Sequence, residues 1–466
     1  MKGLLIAGTA SGVGKTTISL AIMAAMRRRG LVVQAFKGGP DFLDTGHHTR
    51  VSGRTARNVD TWMLSAVANR AVVSQAAQGA DFIVVEGMMG LFDGKCGDSD
   101  AGSTAEIAKL LKLPVVLVLD AGKSARSVAA VVLGFEMFDL ELPLAGVILN
   151  RVAGERHFTM LQAAIASKCK TVVLGWLPRE PAISIAERHL GLHTAEEFTG
   201  TEAESVATAK QIEVLRTLAE KHLDLDALSC LECGLESVTA ARPVSDREEI
   251  GVRVGVARDR AFSFYYEDNL DLLRLRGASI VPFSPMNDAA LPADLDLLYL
   301  GGGYPELYAH QLNSNASMLA SIQAFVASGK PVYAECGGMI YLSQQLTTLD
   351  GVPHCMAGVL PFSMEMTTAL VRFGYVTVEF SRDCLLGKAG TTVRGHSFHH
   401  SRVVGDVVPS TNYRVEYSLS GKREDEGYSV GNVLASYIHL HFRAAPSIAQ
   451  SLMEAARAQK LAEVSE

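Results

Sequence analysis

Leu4-Leu5-Ile6-Ala7-Gly8-Thr9-Ala10-Ser11-Gly12-Val13-Gly14-Lys15-Thr16-Thr17 is an apolar run that opens into a glycine-rich turn and closes on a lysine and two threonines. The run reads as a buried strand and Thr16–Arg29 as a helix, so the glycines occupy a strand-to-helix turn. Successive backbone N–H groups in such a turn, at a helix N-terminus, form a nest for anionic oxygens. Lys15 is placed to reach the terminal phosphates of a nucleotide and the Thr16 hydroxyl to ligate Mg²⁺. Gly12, Val13, Gly14, Lys15, Thr16 and Thr17 are therefore the expected ATP-binding residues. The spacing departs from the common GxxxxGK[ST], because Gly8 stands one residue early and Thr9 takes the usual glycine position. A plain glycine-rich turn is the alternative, but Gly-Lys-Thr directly after a strand argues for the nucleotide.

Working outward, Val32–Phe36, Phe82–Glu86, Val115–Asp120, Leu144–Asn150 and Thr171–Leu177 are further Val/Ile/Leu-rich runs without period-two alternation. Parallel strands buried on both faces look like this. Helix-length segments such as Ser65–Gln78 and Ser103–Leu111 lie between them, which predicts a doubly wound α/β domain over 1–195. Residues 196–249 are polar, helical in Glu196–Lys221 and charged in Ser245–Glu249, and read as a helical connector and linker. A second α/β pattern fills 250–466: strands Val252–Ala257, Ser279–Pro282, Leu295–Leu300 and Val332–Glu335, with helices Tyr266–Arg276 and Ser317–Ser328. Beyond Met356 come Thr/Val/Phe/Tyr-rich strands and a closing helix, Ala445–Gln459.

Composition bounds the function. The 466 residues exceed one ordinary core and call for two or three domains. A net charge of −7 and no basic tract argue against a nucleic-acid partner. No stretch approaches the ~20 apolar residues of a membrane span, and the N-terminal run is too short for a signal peptide. The seven scattered cysteines fit a reducing cytoplasm, and Cys230-Leu-Glu-Cys233 lacks the second ligand pair of a zinc site.

Acids cluster where open α/β sheets bind ligands. Glu86 ends a buried strand, Asp41 and Asp44 lie in Lys37-Gly-Gly-Pro-Asp-Phe-Leu-Asp44, read as a loop, and Asp93 lies in Gly90-Leu-Phe-Asp-Gly94. Singly, such acids are usually caps or turn residues. Together, on the edge that carries the phosphate nest, they suggest a metal–phosphate site.

The second half carries a different chemistry. Asp296–Leu300 runs into Gly301-Gly-Gly303, a turn able to aim backbone N–H groups at an oxyanion. Val332–Glu335 delivers Cys336 into Gly337-Gly338, a nucleophile elbow at a helix N-terminus whose dipole favours an anion. His439, in Ser436-Tyr-Ile-His439-Leu-His441-Phe, is the candidate base. A buried cysteine is often only a small hydrophobe; the elbow, the glycine turn and the late histidine together point to a thiol nucleophile. Gly302, Gly303 and Gly337 are the expected oxyanion donors.

These motifs, with Ser52-Gly-Arg-Thr-Ala-Arg-Asn-Val-Asp-Thr-Trp-Met63, Glu86–Gly94, Gly301–Glu306, Glu335–Gly338 and Gly395-His-Ser-Phe-His399, resemble end to end the cobyrinate a,c-diamide synthases. The N-terminal half also resembles dethiobiotin synthetase. The resemblance implies a P-loop synthetase domain followed by a class I glutamine amidotransferase-like domain, with ATP and Mg²⁺ as cofactors. Its substrates would be glutamine and an acidic tetrapyrrole, and a homodimer is the alternative left open to a monomer. It makes Cys336 the glutaminase nucleophile and His439 its base. It assigns Thr16, Asp44 and Glu86 to metal, Asp41, Phe42, Leu43, Asp44 and Asp93 to the macrocycle and phosphate, and Asn150 to adenine. Hydrogenobyrinate and Ni-sirohydrochlorin are alternative rings. From another class, a regulatory partitioning-type ATPase with a non-catalytic amidotransferase module is the competitor. One departure stands out: other amidotransferases of this class carry His-x-Glu, whereas here His441 fills the glutamate position, so the expected arrangement is a dyad without a carboxylate.

Overall fold

The computed structural model describes residues 1–180, 187–188, 191–192, 202–234, 251–407 and 409–465. The chain forms two compact units, Met1–Ala241 and Arg242–Glu466.

In the first unit, strands β1 (Lys2–Gly8), β2 (Val33–Gly38), β3 (Arg57–Val59), β4 (Phe82–Glu86), β5 (Val115–Asp120), β6 (Leu144–Val152) and β7 (Val173–Pro178) form one sheet in the order β3-β2-β4-β1-β5-β6-β7. All its pairings are parallel. Helices α1 (Lys15–Arg28), α2 (Leu43–Ser52), α3 (Ala66–Ala76), α4 (Thr104–Leu111), α5 (Val128–Phe138) and α6 (Glu155–Ala166) connect the strands. A two-stranded pair, β8 (Glu187–Arg188) and β9 (Gly191–Leu192), follows. The order reverses beside β1, so the turn after β1 opens at the switch point where doubly wound sheets bind ligands.

Helix α1 is apolar nearly all round, with every residue from Ile18 to Met26 buried. A helix of that kind must be covered on two sides. One side packs on the sheet. The other is covered by α7 (Glu202–His222) and α8 (Leu225–Ser229), whose Leu215, Leu223, Leu225 and Leu228 belong to the same core. Each such leucine contributes about 1.5–3 kcal/mol of apolar burial. The described part of the expected connector is thus core of the first unit; the charged stretch 245–249 lies outside the described residues.

The second unit contains β10 (Val252–Ala257), β11 (Ala278–Phe283), β12 (Leu297–Leu300), β13 (Val332–Glu335), β14 (Gln345–Thr347), β15 (Pro353–Cys355), β16 (Ser363–Met366), β17 (Arg372–Phe380), β18 (Thr392–His399), β19 (Ser401–Val404), β20 (Ser410–Tyr417), β21 (Arg423–Val430), β22 (Val433–Ser436) and β23 (His439–Leu440). Its helices are α9 (Glu267–Arg274), α10 (Ala309–Ser314), α11 (Ala316–Ala327), α12 (Gly337–Leu342) and α13 (Ser447–Ser465). The large sheet runs β11-β10-β12-β13-β22-β21-β20-β17-β18-β23, and a smaller one runs β15-β14-β16-β19. The large sheet is parallel from β11 to β22 and antiparallel from β22 to β23. Only Tyr437 and Ile438 separate β22 from β23, so the sheet curls until β18 and β23 return to β13.

Candidate active site

In the phosphate loop, Gly14 is the residue before α1 and has φ 99°. A Cβ there would lie 2.0 Å from Asn150 Nδ2, so both backbone and space demand glycine. Asn150 donates to Val13 O at 2.8 Å and accepts from Arg151 N at 2.9 Å. These two bonds tie the end of β6 to the loop. Gly12 is exposed with φ 76°, Val13 is buried, and Thr16 and Thr17 lie in the first turn of α1. Lys15 Nζ donates to Ala10 O at 3.2 Å and to Met89 O. Burial, then the like charge of Lys37, pulls Lys15 below an ordinary lysine; Glu86, Asp44 and Asp93 oppose the shift.

A buried charge cluster lies beside the loop. Thr16 Oγ1 donates to Glu86 Oε1 at 2.7 Å and to Asp44 Oδ1 at 3.4 Å. Lys37 Nζ bonds Glu86 Oε1 at 2.9 Å and pairs with Asp44, while His48 Nε2 meets Glu86 Oε2 at 2.6 Å. Burial would push Glu86 up, but Lys37 and then His48 hold it far below the carboxylate range. Burial would lower Lys37, but Asp44 and Glu86 hold it above an ordinary lysine. Asp44 is raised by burial and then by Asp41, with Lys37 pulling down and Glu86 up.

Asp44 does not lie on a loop: it stands in the first turn of α2, which begins at Leu43. Asp41 starts that helix, accepting from Leu43 N at 2.8 Å and Asp44 N at 3.2 Å, and half-buried Phe42 precedes it. Exposed Asp93 accepts from Gly90 N at 2.8 Å. Among the described residues no group of three or more His, Cys, Asp or Glu could alone hold a metal. The hard oxygens of Thr16, Asp44 and Glu86 do converge, and their crowded negative charge suits a Mg²⁺ that completes its shell with phosphate and water. Lys37 and His48 are the members that reading the sequence missed. A lysine inside the buried run Val33–Gly38 was the available signal.

In the second unit, Cys336 sits between β13 and α12 with φ 46° and ψ −100°, the strained backbone of an elbow. Its N–H donates to Ser436 O at 2.7 Å, and Sγ lies 4.0 Å from Phe398 O of β18. His439 is fully buried and hydrogen-bonds the Cys336 thiol. Burial alone would lower its imidazole. The thiol, and then the Glu335 carboxylate, whose Oε2 lies 3.6 Å from His439 Nδ1, raise it to about 9. The structure therefore corrects the expectation of a base without a carboxylate: an acid is present, immediately before the nucleophile. His441 instead accepts from Arg443 N at 3.3 Å at the start of the turn Phe442–Ala444.

The glycine turn needs a correction too. The Gly302 N–H donates to Phe264 O at 3.2 Å, so it is committed within the fold. Gly302 matters for space, since a Cβ on it would lie 2.5 Å from His439 Cε1. A Cβ on Gly337 would lie 3.0 Å from Gly303 N, which brings those two residues together beside the elbow.

Comparison with known proteins agrees with both units. Residues 4–192 match the CobQ/CobB/MinD/ParA nucleotide binding domain, and residues 253–447 match the CobB/CobQ-like glutamine amidotransferase domain. The cobyrinate a,c-diamide synthase of Listeria innocua is 43% identical over 98% of this chain and 100% of its own length. That of Salmonella typhimurium is 40% identical over 97% of this chain and 98% of its own, and that of Methanosarcina acetivorans is 40% identical over 97% and 95%. With both domains in order and relatives matching across nearly the whole length, this chain belongs to the cobyrinate a,c-diamide synthase family.

Proposed function

We propose that the chain is an ATP- and glutamine-dependent ligase that amidates the a and c acetate carboxylates of cobyrinate, in cobalamin biosynthesis. The observation that carries this reading is the pairing, in one chain of this family, of a phosphate nest bordered by Lys37, Asp44 and Glu86 with a strained Cys336 bonded to His439.

In the glutaminase unit the Cys336 thiolate attacks the glutamine amide carbon while the N–H groups of Gly303 and Gly337 receive the oxyanion. The His439 imidazolium gives its proton to the departing ammonia, and water then hydrolyses the thioester to glutamate. In the synthetase unit a substrate carboxylate oxygen attacks the γ-phosphorus of ATP and ADP leaves. Ammonia attacks the acyl carbon and phosphate departs. Activation is needed because a free carboxylate is a poor electrophile for ammonia at neutral pH. Lys15 and the loop N–H groups position the phosphates; Thr16, Asp44 and Glu86 would hold Mg²⁺, which when bound neutralises charge on the transferring phosphoryl group. Asp41, Phe42, Leu43 and Asp93 are the residues proposed to meet the substrate. Asn150, tied to the loop through Val13 O, is the proposed adenine contact. All seven cysteines are free thiols, in keeping with a reducing cytoplasm. Among the described residues no helix is long and apolar enough to cross a membrane.

The test is a panel of cobyrinate, hydrogenobyrinate and Ni-sirohydrochlorin with ATP, Mg²⁺ and glutamine, read by product mass. Cobyrinate should gain two amides. Cys336→Ala should abolish the glutamine-dependent product and leave synthesis from concentrated ammonia intact. Loss of both activities in a folded variant would refute the division of labour, and absence of any diamide would refute the ligase.

A further inference from the structure

Glu335 is a carboxylate at the end of a buried strand, 1% exposed, with every polar neighbour identifiable. Its Oε1 accepts from the Tyr333 hydroxyl at 2.7 Å and from Leu440 N at 3.3 Å. Its Oε2 accepts from the Tyr299 hydroxyl at 3.2 Å and faces His439 Nδ1 at 3.6 Å. Two phenols and one amide are neutral donors. They orient a carboxylate but do not balance its charge, and a buried charge without a counter-charge is strongly unfavourable. Among the described residues, His439 is the ionisable cation within ion-pair distance of Glu335.

The same imidazole bonds Cys336, so acid, base and nucleophile stand in series although acid and nucleophile are neighbours in sequence. The strained elbow makes this arrangement achievable, because it turns Cys336 while Glu335 keeps its strand geometry against Tyr299 and Tyr333. We propose that Glu335 is the positioning residue of the glutaminase, holding His439 in the tautomer and orientation that receive the Cys336 proton. It fills the role that a glutamate two residues beyond the base plays elsewhere in this enzyme class.

The 3.6 Å separation is long for a hydrogen bond and suits a charge contact that tightens when the imidazolium forms. The other groups facing His439 do not compete for the role. His396, stacked on it at 4.9 Å, is itself kept neutral by burial and then by the charge of His439. The His396 Nδ1 is bonded to the Tyr266 hydroxyl at 3.1 Å, and Tyr266 also packs on His441.

This inference rests on Cys336 being the glutaminase nucleophile, and the experiment separates the two. On the full chain, glutamine hydrolysis and the rate of Cys336 alkylation by iodoacetamide are measured against pH for wild type, Cys336→Ala, Glu335→Gln, Glu335→Asp and Tyr333→Phe. Glu335→Gln should lower kcat on the order of 10³-fold with little change in glutamine KM. Because the carboxylate raises His439, its removal should also move the alkaline limb of the hydrolysis profile to lower pH, and should slow alkylation near neutral pH, where a weaker imidazolium holds less of the thiol as thiolate. Glu335→Asp, which keeps the charge at a greater distance, should recover part of both effects and serves alone if the glutamine variant does not fold. Tyr333→Phe removes a hydrogen bond but no charge and should leave the limb in place. A wild-type limb and kcat in Glu335→Gln, or equal shifts in Tyr333→Phe, would overturn the positioning role. Glutamine hydrolysis surviving in Cys336→Ala would instead overturn the reading beneath it.

Discussion

Gly302 shows how one missing methyl group can govern a reaction. Since a Cβ there would lie 2.5 Å from His439 Cε1, Gly302→Ala must displace either the imidazole or the turn. Misplacing a catalytic group by about 1 Å lowers rate by roughly 10²-fold, so glutamine hydrolysis should fall by about that factor. Ammonia-dependent amidation should persist, and steady-state assays with each nitrogen source check both; an unchanged glutaminase rate would show that the base does not need this space. At this scale the sequence was informative where chemistry and punctuation coincide, as in Gly14-Lys15-Thr16 and Glu335-Cys336-Gly337. It misled where a backbone partner decides the role: the commitment of Gly302 N–H to Phe264 leaves no mark in the residue types. Nothing in the residue types around His439 marks Glu335, because the acid comes from the strand before the nucleophile while His441 occupies the position two residues after the base.

Among the elements, β2, α2 and β4 are joined through one ammonium. Lys37 leaves β2 to meet Asp44 on α2 and Glu86 at the end of β4. Lys37→Met removes the cation from two buried acids, and breaking such a pair costs about 3–5 kcal/mol. Denaturant unfolding should register that loss, and added Mg²⁺ should recover part of it by binding the same oxygens in the folded state only. A loss of stability that Mg²⁺ does not touch would separate these acids from any metal role. The buried apolar strands of the first sheet were readable as such, whereas β3 and α2 were not. Arg57–Val59 has no apolar run, and Leu43–Ser52 mixes Asp, Gly, His and Arg without a hydrophobic stripe, so tertiary contacts settle both. The fate of α7 was hidden differently. Its polar sequence suggests a linker, and only the all-round apolarity of α1 reveals that a covering helix is required.

Across the whole molecule, the proposed phosphate site and the proposed thiol nucleophile belong to different units, Lys15 to the first and Cys336 to the second. Lys15→Ala should therefore abolish amidation from glutamine and from ammonia alike while glutamine hydrolysis remains measurable, because the phosphoryl-transfer transition state loses its positioned charge. Product mass and glutamate release, assayed side by side, check this; wild-type diamide formation would remove the phosphate loop from the mechanism.

The curl of the large sheet also orders events in time. Strand β22 lies between β13 and β21, yet both of those are made before it, and the base follows on β23. A chain still on the ribosome and finished through β21 already has its thiol, but it lacks both the strand that seats the elbow and the imidazole that activates it. Pairing of such distant segments comes late in folding. On the proposed roles, glutamine hydrolysis thus waits until β22 and β23 have been made and paired, and a chain that stops before them should release no ammonia.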